Sequence, residues 1–266
     1  MDVFFEIKKL GQFLQYQFSA KSSKGHGIHS PFMYELVRDI FGDHTVYTEL
    51  EAIEKIRDQL VRSQETIHYQ DLGAGSRYES DQVRKVSTIA KRMSTRPKYG
   101  RLLFFLGKKF EPEHIVELGT GLGIGTCYLA LSNPGSNVYT LESSTPLREL
   151  ARAHFTKLGA KNVHMVPGEF YPALDTIKKT VPRFDLVFFD GNHRLESTLD
   201  YYNQCLENAH ENSIFIFDDI RWSRGMEKAW DIIKNHDRVR VTMDVFQMGV
   251  VFFRKALSRQ HYMIRY

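Results

Sequence analysis

The chain has 266 residues, of which 42% are hydrophobic and 26% charged, and it carries a net charge of +4 at neutral pH. That length allows one large α/β domain or a moderate one with an accessory segment, and the charge is too small alone to imply nucleic acid. Its two cysteines, Cys127 and Cys205, sit in apolar helical patterns as free thiols do, which argues against a disulfide framework and for a reducing cytoplasm. No stretch approaches membrane-spanning length, and Asp2 and Glu6 interrupt any signal-peptide reading of the first residues.

Phe4, Ile7, Leu10, Phe13, Leu14 and Phe18 recur at helical spacing, with Lys8, Lys9, Gln12 and Gln15 on the other face, predicting an amphipathic helix docked on its own domain. Residues 21–27 read as loop. Ser30-Pro31 is an N-cap followed by a first helical residue, and Gly42 stops that helix after Phe41. A third helix buries Leu50, Ile53, Ile56 and Leu60. His26 and His29 flank the loop, and either line a substrate cavity or serve as ordinary hydrogen-bonding loop residues.

Asp71-Leu72-Gly73-Ala74-Gly75-Ser76 imitates a ligand-binding glycine turn. The segment before it, Thr66-Ile67-His68-Tyr69-Gln70, is a poor buried strand, and the residues after it do not open an apolar helix, so it reads as a decoy or a substrate-side loop. Residues 84–109 carry Arg84, Lys85, Lys91, Arg92, Arg96, Lys98, Arg101, Lys108 and Lys109 with no acid among them. Val83, Val86, Ile89, Ala90 and Met93 interleave at helical period, and a second helix is expected over residues 98–109. The run is a solvated face, a seat for an anionic small molecule, or an RNA contact. Residues 1–110 are expected to form a helical cap on the substrate side, and residues 111–266 the main ligand-binding domain.

The centre of the chain is His114-Ile115-Val116-Glu117-Leu118-Gly119-Thr120-Gly121-Leu122-Gly123-Ile124-Gly125-Thr126. It reads as a buried strand, a tight turn whose missing side chains let a ligand touch backbone, and a helix N-terminus. The dinucleotide pattern Gly-x-Gly-x-x-Gly fails in every frame, since its third position falls on Ile124, Thr126 or Tyr128. Downstream, residues 137–142 form a second strand ending in Glu142, an acid placed to accept both hydroxyls of a ribose. Pro146 starts the next helix and Gly159 ends it. A third strand over residues 162–166 leads to Gly168-Glu169-Phe170, and a fourth, nearly continuous in apolar residues, runs to Asp190. A fifth strand over residues 213–217 ends at Asp218-Asp219, helices span residues 194–209 and 223–234, and residues 239–246 and 248–253 pair as a closing hairpin.

Strand and helix alternation predicts a mostly parallel sheet with right-handed crossovers and a ligand crevice at the strand carboxyl ends. Glu117, Glu142, Asp190, Asp218 and Asp219 all fall there, and carboxylates converging on one crevice repel unless a cation sits among them. Asp190 with Asp218 and Asp219 is therefore a candidate site for Mg²⁺ or Mn²⁺. Adjacent strand residues point to opposite faces, so both Asp218 and Asp219 can bind only where the strand has already turned.

The acidic-x-Gly-x-Gly-x-Gly pattern from Glu117 resembles the first motif of class I S-adenosylmethionine-dependent methyltransferases, whose ligand carries an ammonium and a sulfonium. More narrowly, Asp190-Gly191-Asn192-His193-Arg194-Leu195-Glu196-Ser197-Thr198 and Phe217-Asp218-Asp219 look like the metal-dependent small-molecule O-methyltransferases. Those include catechol O-methyltransferase-like and macrolide and aminocoumarin sugar enzymes. The resemblance spans about residues 112–254 and implies a Rossmann-like, seven-stranded, mostly parallel sheet with the C-terminal antiparallel hairpin. It implies that Glu117, Gly119, Thr120, Gly121 and Gly123 hold the methionine end, and that Glu142 and Ser143 hold the ribose. Gly168 and Glu169 lie at the adenine, and Asp190 touches both cofactor and metal.

The sugar enzymes carry an acid where this chain has Asn192, which takes no proton at neutral pH. The catechol enzymes place a lysine base at the position of His193, and a histidine titrating near neutrality can take that role. The expected function is O-methylation of a small hydroxylated acceptor by S-adenosylmethionine with divalent-metal assistance, with Asp190, Asn192 and His193 at the reacting atoms; an anionic acceptor is one compatible partner. No membrane insertion is expected, and a homodimer is one compatible assembly. Three alternatives stand beside it: a metal-free methyltransferase of RNA, a non-catalytic S-adenosylmethionine-binding protein, and a nicotinamide oxidoreductase, against which the glycine spacing argues.

Overall fold

The computed structural model describes residues 3–69 and 82–266. The front section begins with helices α1 (Val3–Ser19), α2 (Pro31–Phe41) and α3 (Thr48–Arg62). Ser30 caps α2, its hydroxyl accepting from the Met33 amide, and Gly42 closes the helix, its amide donating to the Arg38 carbonyl. α3 buries Ile53, Ile56 and Leu60 as its spacing predicts. A short antiparallel pair follows, β1 (Thr66–Tyr69) with β2 (Gln82–Lys85), and then α4 (Val86–Met93) and α5 (Pro97–Phe110). Val83, expected in the helical pattern, lies instead in β2 and is exposed, because the helix begins only at Val86; Met93, the last residue of α4, is exposed as well. The imitation glycine turn Asp71–Ser76 falls outside the described residues.

From here strand and helix alternate: β3 (His114–Leu118), α6 (Ile124–Ser132), β4 (Asn137–Glu142), α7 (Thr145–Leu158), β5 (Val163–Pro167), α8 (Phe170–Thr180), β6 (Phe184–Phe189), α9 (Leu195–Glu207) and β7 (Ala209–Phe217). The chain closes with α10 (Arg224–Lys234), β8 (Val241–Asp244), β9 (Gly249–Phe252) and β10 (Gln260–Met263). Eight strands form one sheet in the order β5-β4-β3-β6-β7-β9-β8-β10. The first five are mutually parallel, and β9 runs antiparallel to both β7 and β8, so the expected hairpin is present. The sheet exceeds the expected seven strands by β10, which pairs parallel to β8 at the edge. Its residues Gln260, His261 and Met263 are exposed, so no apolar pattern marks it in the sequence.

The central strands β3 and β6 and the second half of β7 are buried and mainly apolar because both faces are covered. Ile115, Leu186, Phe188, Ile214, Ile216, Val250 and Phe252 face one core. Val116, Leu118, Val187, Phe189, Phe215, Phe217 and Val251 alternate with them into the other. The second core is roofed by α8, α9 and α10; the first contains α2, α3 and α5, including Leu102, Leu103, Phe104, Phe105 and Leu106. The front section thus covers part of that face, and α6 and α7 cover the rest through Cys127, Leu129, Leu147 and Ala151. β3 connects to β4 on one side and lies against β6 on the other, which opens a crevice at the carboxyl ends between them.

Candidate active site

The turn after β3 is fixed by its glycines. Gly119 has φ +108°, and a Cβ on it would stand 2.3 Å from the carbonyl oxygen of Asp190, so the two strand ends approach within backbone contact. Gly121 has φ +52°, and a Cβ there would meet nothing within 4 Å, so this residue fronts open space. The amides of Gly119 and Thr120 both donate to the carbonyl of Leu141, which ties the turn to β4. Gly123 caps α6.

Glu142, at the tip of β4, accepts from the amide of Gly121 at 3.0 Å through one oxygen and from the amide of Ser144 at 2.9 Å through the other. Burial pushes its carboxyl above the usual range, and those amides partly restore it. Ser143 follows it, and its carbonyl accepts from Arg148. Gly168 has φ +116° with open space at its Cβ position, and the exposed Glu169 precedes α8.

Glu117 is fully buried on the face beneath α6. Its Oε2 accepts from the hydroxyls of Thr126 and Thr140, while its Oε1 has no partner and lies 3.0 Å from where a Cβ on Gly125 would be. Burial raises its pKa to about 7, and the charge of Glu142 adds to the shift. The structure places this carboxyl under the glycine turn, with Thr120 linked to the same network through the hydroxyl of Thr140 at 2.6 Å.

The other half of the crevice holds the aspartates. Asp190 follows β6, and Asp218 and Asp219 follow β7. Asp219 has φ +54°, so the chain has already turned out of the strand, which is what two adjacent aspartates serving one site require. Asp218 is 5% exposed and accepts from the amide of Asp219 at 2.8 Å and from the Gln247 side chain at 3.3 Å. Asp190 and Asp218 are both pushed up, first by burial and then by neighbouring carboxylates. His193 Nε2 stands 4.0 Å from both Asp190 and Asp219. Asn192, at φ +51°, donates to the Tyr201 hydroxyl at 3.3 Å and leaves its own buried Oδ1 without a partner.

Among the described residues, no group of three or more His, Cys, Asp or Glu side chains is already arranged to hold a metal ion. The three aspartates nonetheless suit a divalent cation in donor chemistry and in uncompensated charge. His26 and His29 are exposed, in the loop between α1 and α2. The sequence reading missed Gln247, which reaches Asp218 from the β8–β9 turn, and Tyr99, whose hydroxyl donates to the Val245 carbonyl at 3.3 Å in that same turn. Neither belongs to a motif; only the folded hairpin brings them to the crevice.

Residues 116–220 match a family described as a methyltransferase domain. No curated protein matches the sequence. Among solved structures, the O-methyltransferase from Bacillus cereus in complex with SAH is 18% identical, with a TM-score of 0.56 over 82% of this chain and 96% of that one. TomG from Streptomyces achromogenes, an O-methyltransferase involved in tomaymycin synthesis and solved with SAM, is 16% identical with a TM-score of 0.59, covering 81% and 95%. The SAH-bound methyltransferase PaMTH1 from Podospora anserina is 18% identical with a TM-score of 0.57, covering 85% and 97%. These likenesses establish the fold, and the matched residues run from the middle of β3 through the glycine turn to the aspartates after β7. Residues 116–220 are thus similar to a methyltransferase domain, and the fold around them is the one these solved methyltransferases share.

Proposed function

We propose that the protein transfers the methyl group of S-adenosylmethionine to a hydroxyl oxygen of a small acceptor. The observation that carries this reading is the convergence of Asp190, His193, Asp218 and Asp219 opposite a glycine turn whose Gly121 opens onto empty space. When bound, S-adenosylmethionine supplies a methyl carbon activated by a sulfonium. Gly119, Thr120, Gly121 and Gly123 frame its methionine end, Glu142 and Ser143 its ribose, and Gly168 and Glu169 its adenine.

Asp190, Asp218 and Asp219 would hold Mg²⁺ or Mn²⁺, whose chemistry there is to lower the pKa of the acceptor hydroxyl. His193 takes the hydroxyl proton as the oxygen bonds to the methyl carbon and the sulfur keeps the electrons of the broken bond. The carboxylates of Asp190 and Asp219 then steady the imidazolium. Asn192 carries no charge, and its unpaired Oδ1 is available to orient the loop or the acceptor. Positioning of acceptor and methyl group provides most of the acceleration, of a kind worth ~7–11 kcal/mol in well-oriented systems.

The test is calorimetry of the full chain with S-adenosylmethionine, S-adenosylhomocysteine and NAD, each with and without Mg²⁺, followed by turnover on a panel of hydroxylated acceptors. Binding of the sulfur compounds but not of NAD, with turnover lost on thorough chelation and restored by Mg²⁺, is the expected result. Turnover that survives chelation removes the metal; tight NAD binding removes methyl transfer altogether.

A further inference from the structure

We infer that the junction between α4 and α5 is the seat for an anionic group, phosphate or carboxylate, on the small molecule whose hydroxyl is methylated. The inference rests on the methyl-transfer reading and adds the charge of the acceptor to it. Its first support is placement. α5 ends at Phe110 and β3 begins at His114, so the helix runs back along the strand and its first residues lie at the carboxyl end of the sheet. Fourteen residues of helix span ~21 Å, more than the ~16 Å of a five-residue strand.

Contacts agree with the topology. The Thr95 hydroxyl lies 3.0 Å from where a Cβ on Gly125 would be, in the first turn of the helix that follows the glycine turn. Tyr99 bonds to the Val245 carbonyl, two residues from the Gln247 that holds Asp218, and its hydroxyl feels the charges of both Asp218 and Arg96.

The junction is also firmly built. Arg57, itself only 8% exposed and paired with Glu54, donates to the carbonyl of Thr95, and Pro97 fixes the first residue of α5. On this base stand four exposed cations, Lys91, Arg92, Arg96 and Lys98. Among the described residues no carboxylate pairs with Lys91, Arg92 or Arg96. At the far end of α5 the charge is answered: Lys109 pairs with Asp39, and Lys108 lies over the Tyr47 ring. Among the described residues, the exposed cations of α4 and α5 that meet neither an acid nor a ring, Lys91, Arg92 and Arg96, therefore lie at the crevice end, with Lys98 beside them over the Tyr266 ring. Like charges gathered so closely raise the energy of the fold, and an anion lowers it again.

The crevice is thereby bipolar, with aspartates after β6 and β7 and cations at the head of α5. An acceptor with an anion at one end and a hydroxyl at the other is driven to one orientation, because its anion is repelled from the aspartates. Four cations on one junction, in a chain of net charge +4, are sized for one such group and not for the length of a nucleic-acid backbone.

The test compares the full chain with its Lys91→Gln/Arg92→Gln/Arg96→Gln variant, each saturated with S-adenosylhomocysteine. Dihydroxybenzoate and dihydroxybenzyl alcohol are titrated as matched anionic and neutral probes, and inorganic phosphate as the bare anion. The parent binds dihydroxybenzoate about tenfold more tightly than the alcohol, and the variant loses that preference and the affinity for phosphate. Its affinity for S-adenosylhomocysteine and its Tm stay those of the parent. Equal affinities for the two probes in the parent, or a preference that survives in the variant, overturn the inference. So does a short single-stranded RNA that binds more tightly than phosphate with steep salt dependence. Phosphate is titrated as well without S-adenosylhomocysteine, so that failure of the methyl-transfer reading is seen separately from failure of the anion seat.

Discussion

The two sides of the crevice are made in different ways. On the β3–β4 side the structure answers its own polar groups: both oxygens of Glu142 meet backbone amides, and Oε2 of Glu117 meets two threonine hydroxyls. On the β6–β7 side the groups answer mainly to one another. Beyond burial, the charges of Asp218 and Asp219 push Asp190 up and that of Asp219 pushes Asp218 up, Asn192 leaves an oxygen unpaired, and His193 stands 4.0 Å from two carboxylates. The first side holds its shape without a ligand, while the second carries charge that only an incoming cation or a proton transfer can settle. On the proposed function, binding belongs to the one and chemistry to the other, and the two should be separable by mutation.

The largest separation comes from Gly121→Arg. The Cβ enters open space but at φ +52°, where a side chain costs ~1–2 kcal/mol, so the fold should survive with a Tm lowered by only a few degrees, while the long side chain fills the turn. Calorimetry should show the affinity for S-adenosylhomocysteine reduced by at least ~10³-fold, equivalent to about 4 kcal/mol. Asp218→Asn should do the converse. Turnover should fall ~10²–10⁴-fold, the range for loss of a proton-transfer or electrostatic partner, with affinity for S-adenosylhomocysteine nearly unchanged. If the aspartate variant lost the cofactor as well, the two sides would be one unit.

This contrast also explains what could be read from the residues alone. β3, β4 and β6 and the glycine turn were legible because a strand covered on both faces is a continuous apolar run, and because the turn between two close backbones permits only glycine at positions such as Gly119. The aspartates were legible as strand-end acids, but that both Asp218 and Asp219 face the site depends on the left-handed φ of Asp219, which no pattern announces. Gln247 and Tyr99 reach the crevice only through the hairpin and α5. The five consecutive buried residues from Leu102 to Leu106 did carry a readable signal. A helix segment apolar on every side lies inside a core, and these five residues stand between the charged ends of α5.

A third prediction probes the quieter side through pH. The Glu117 carboxyl titrates near 7 in the folded chain, against an ordinary value of 4.5. Between those values the folded state binds a proton that the unfolded chain has released. Its contribution to stability is therefore complete below pH 4.5 and is lost as pH rises towards and through 7. The loss is on the order of 3 kcal/mol. Glu117→Gln keeps an oxygen for the Thr126 and Thr140 hydroxyls and carries no titrating proton, so its urea midpoint should stay level over that window. At pH 8 it should be the more stable protein. A parent midpoint that does not fall between pH 5 and 8 would place the carboxyl in water or beside a cation.

The smallest effect concerns the junction between the front section and the eight-stranded sheet. Gly100 in α5 faces Tyr128 in α6, and a Cβ there would lie 2.0 Å from the Tyr128 ring. That ring is 1% exposed and its hydroxyl is held by Glu54 in α3, so it has nowhere to turn. Gly100→Ala gains ~1 kcal/mol of helix propensity but overpacks a rigid contact, at a typical cost of ~1–3 kcal/mol. A net loss of ~1 kcal/mol is expected. Gly11→Ala in α1, where a Cβ meets nothing within 4 Å, should gain stability instead, so the same substitution changes sign with its surroundings. Because α5 and the strands share one core, the Gly100 variant should still unfold in a single transition, at a lower midpoint by both circular dichroism and tryptophan fluorescence. Two transitions, with only the earlier one displaced, would mean that the front section folds on its own and that the sheet keeps its glycine turn without it.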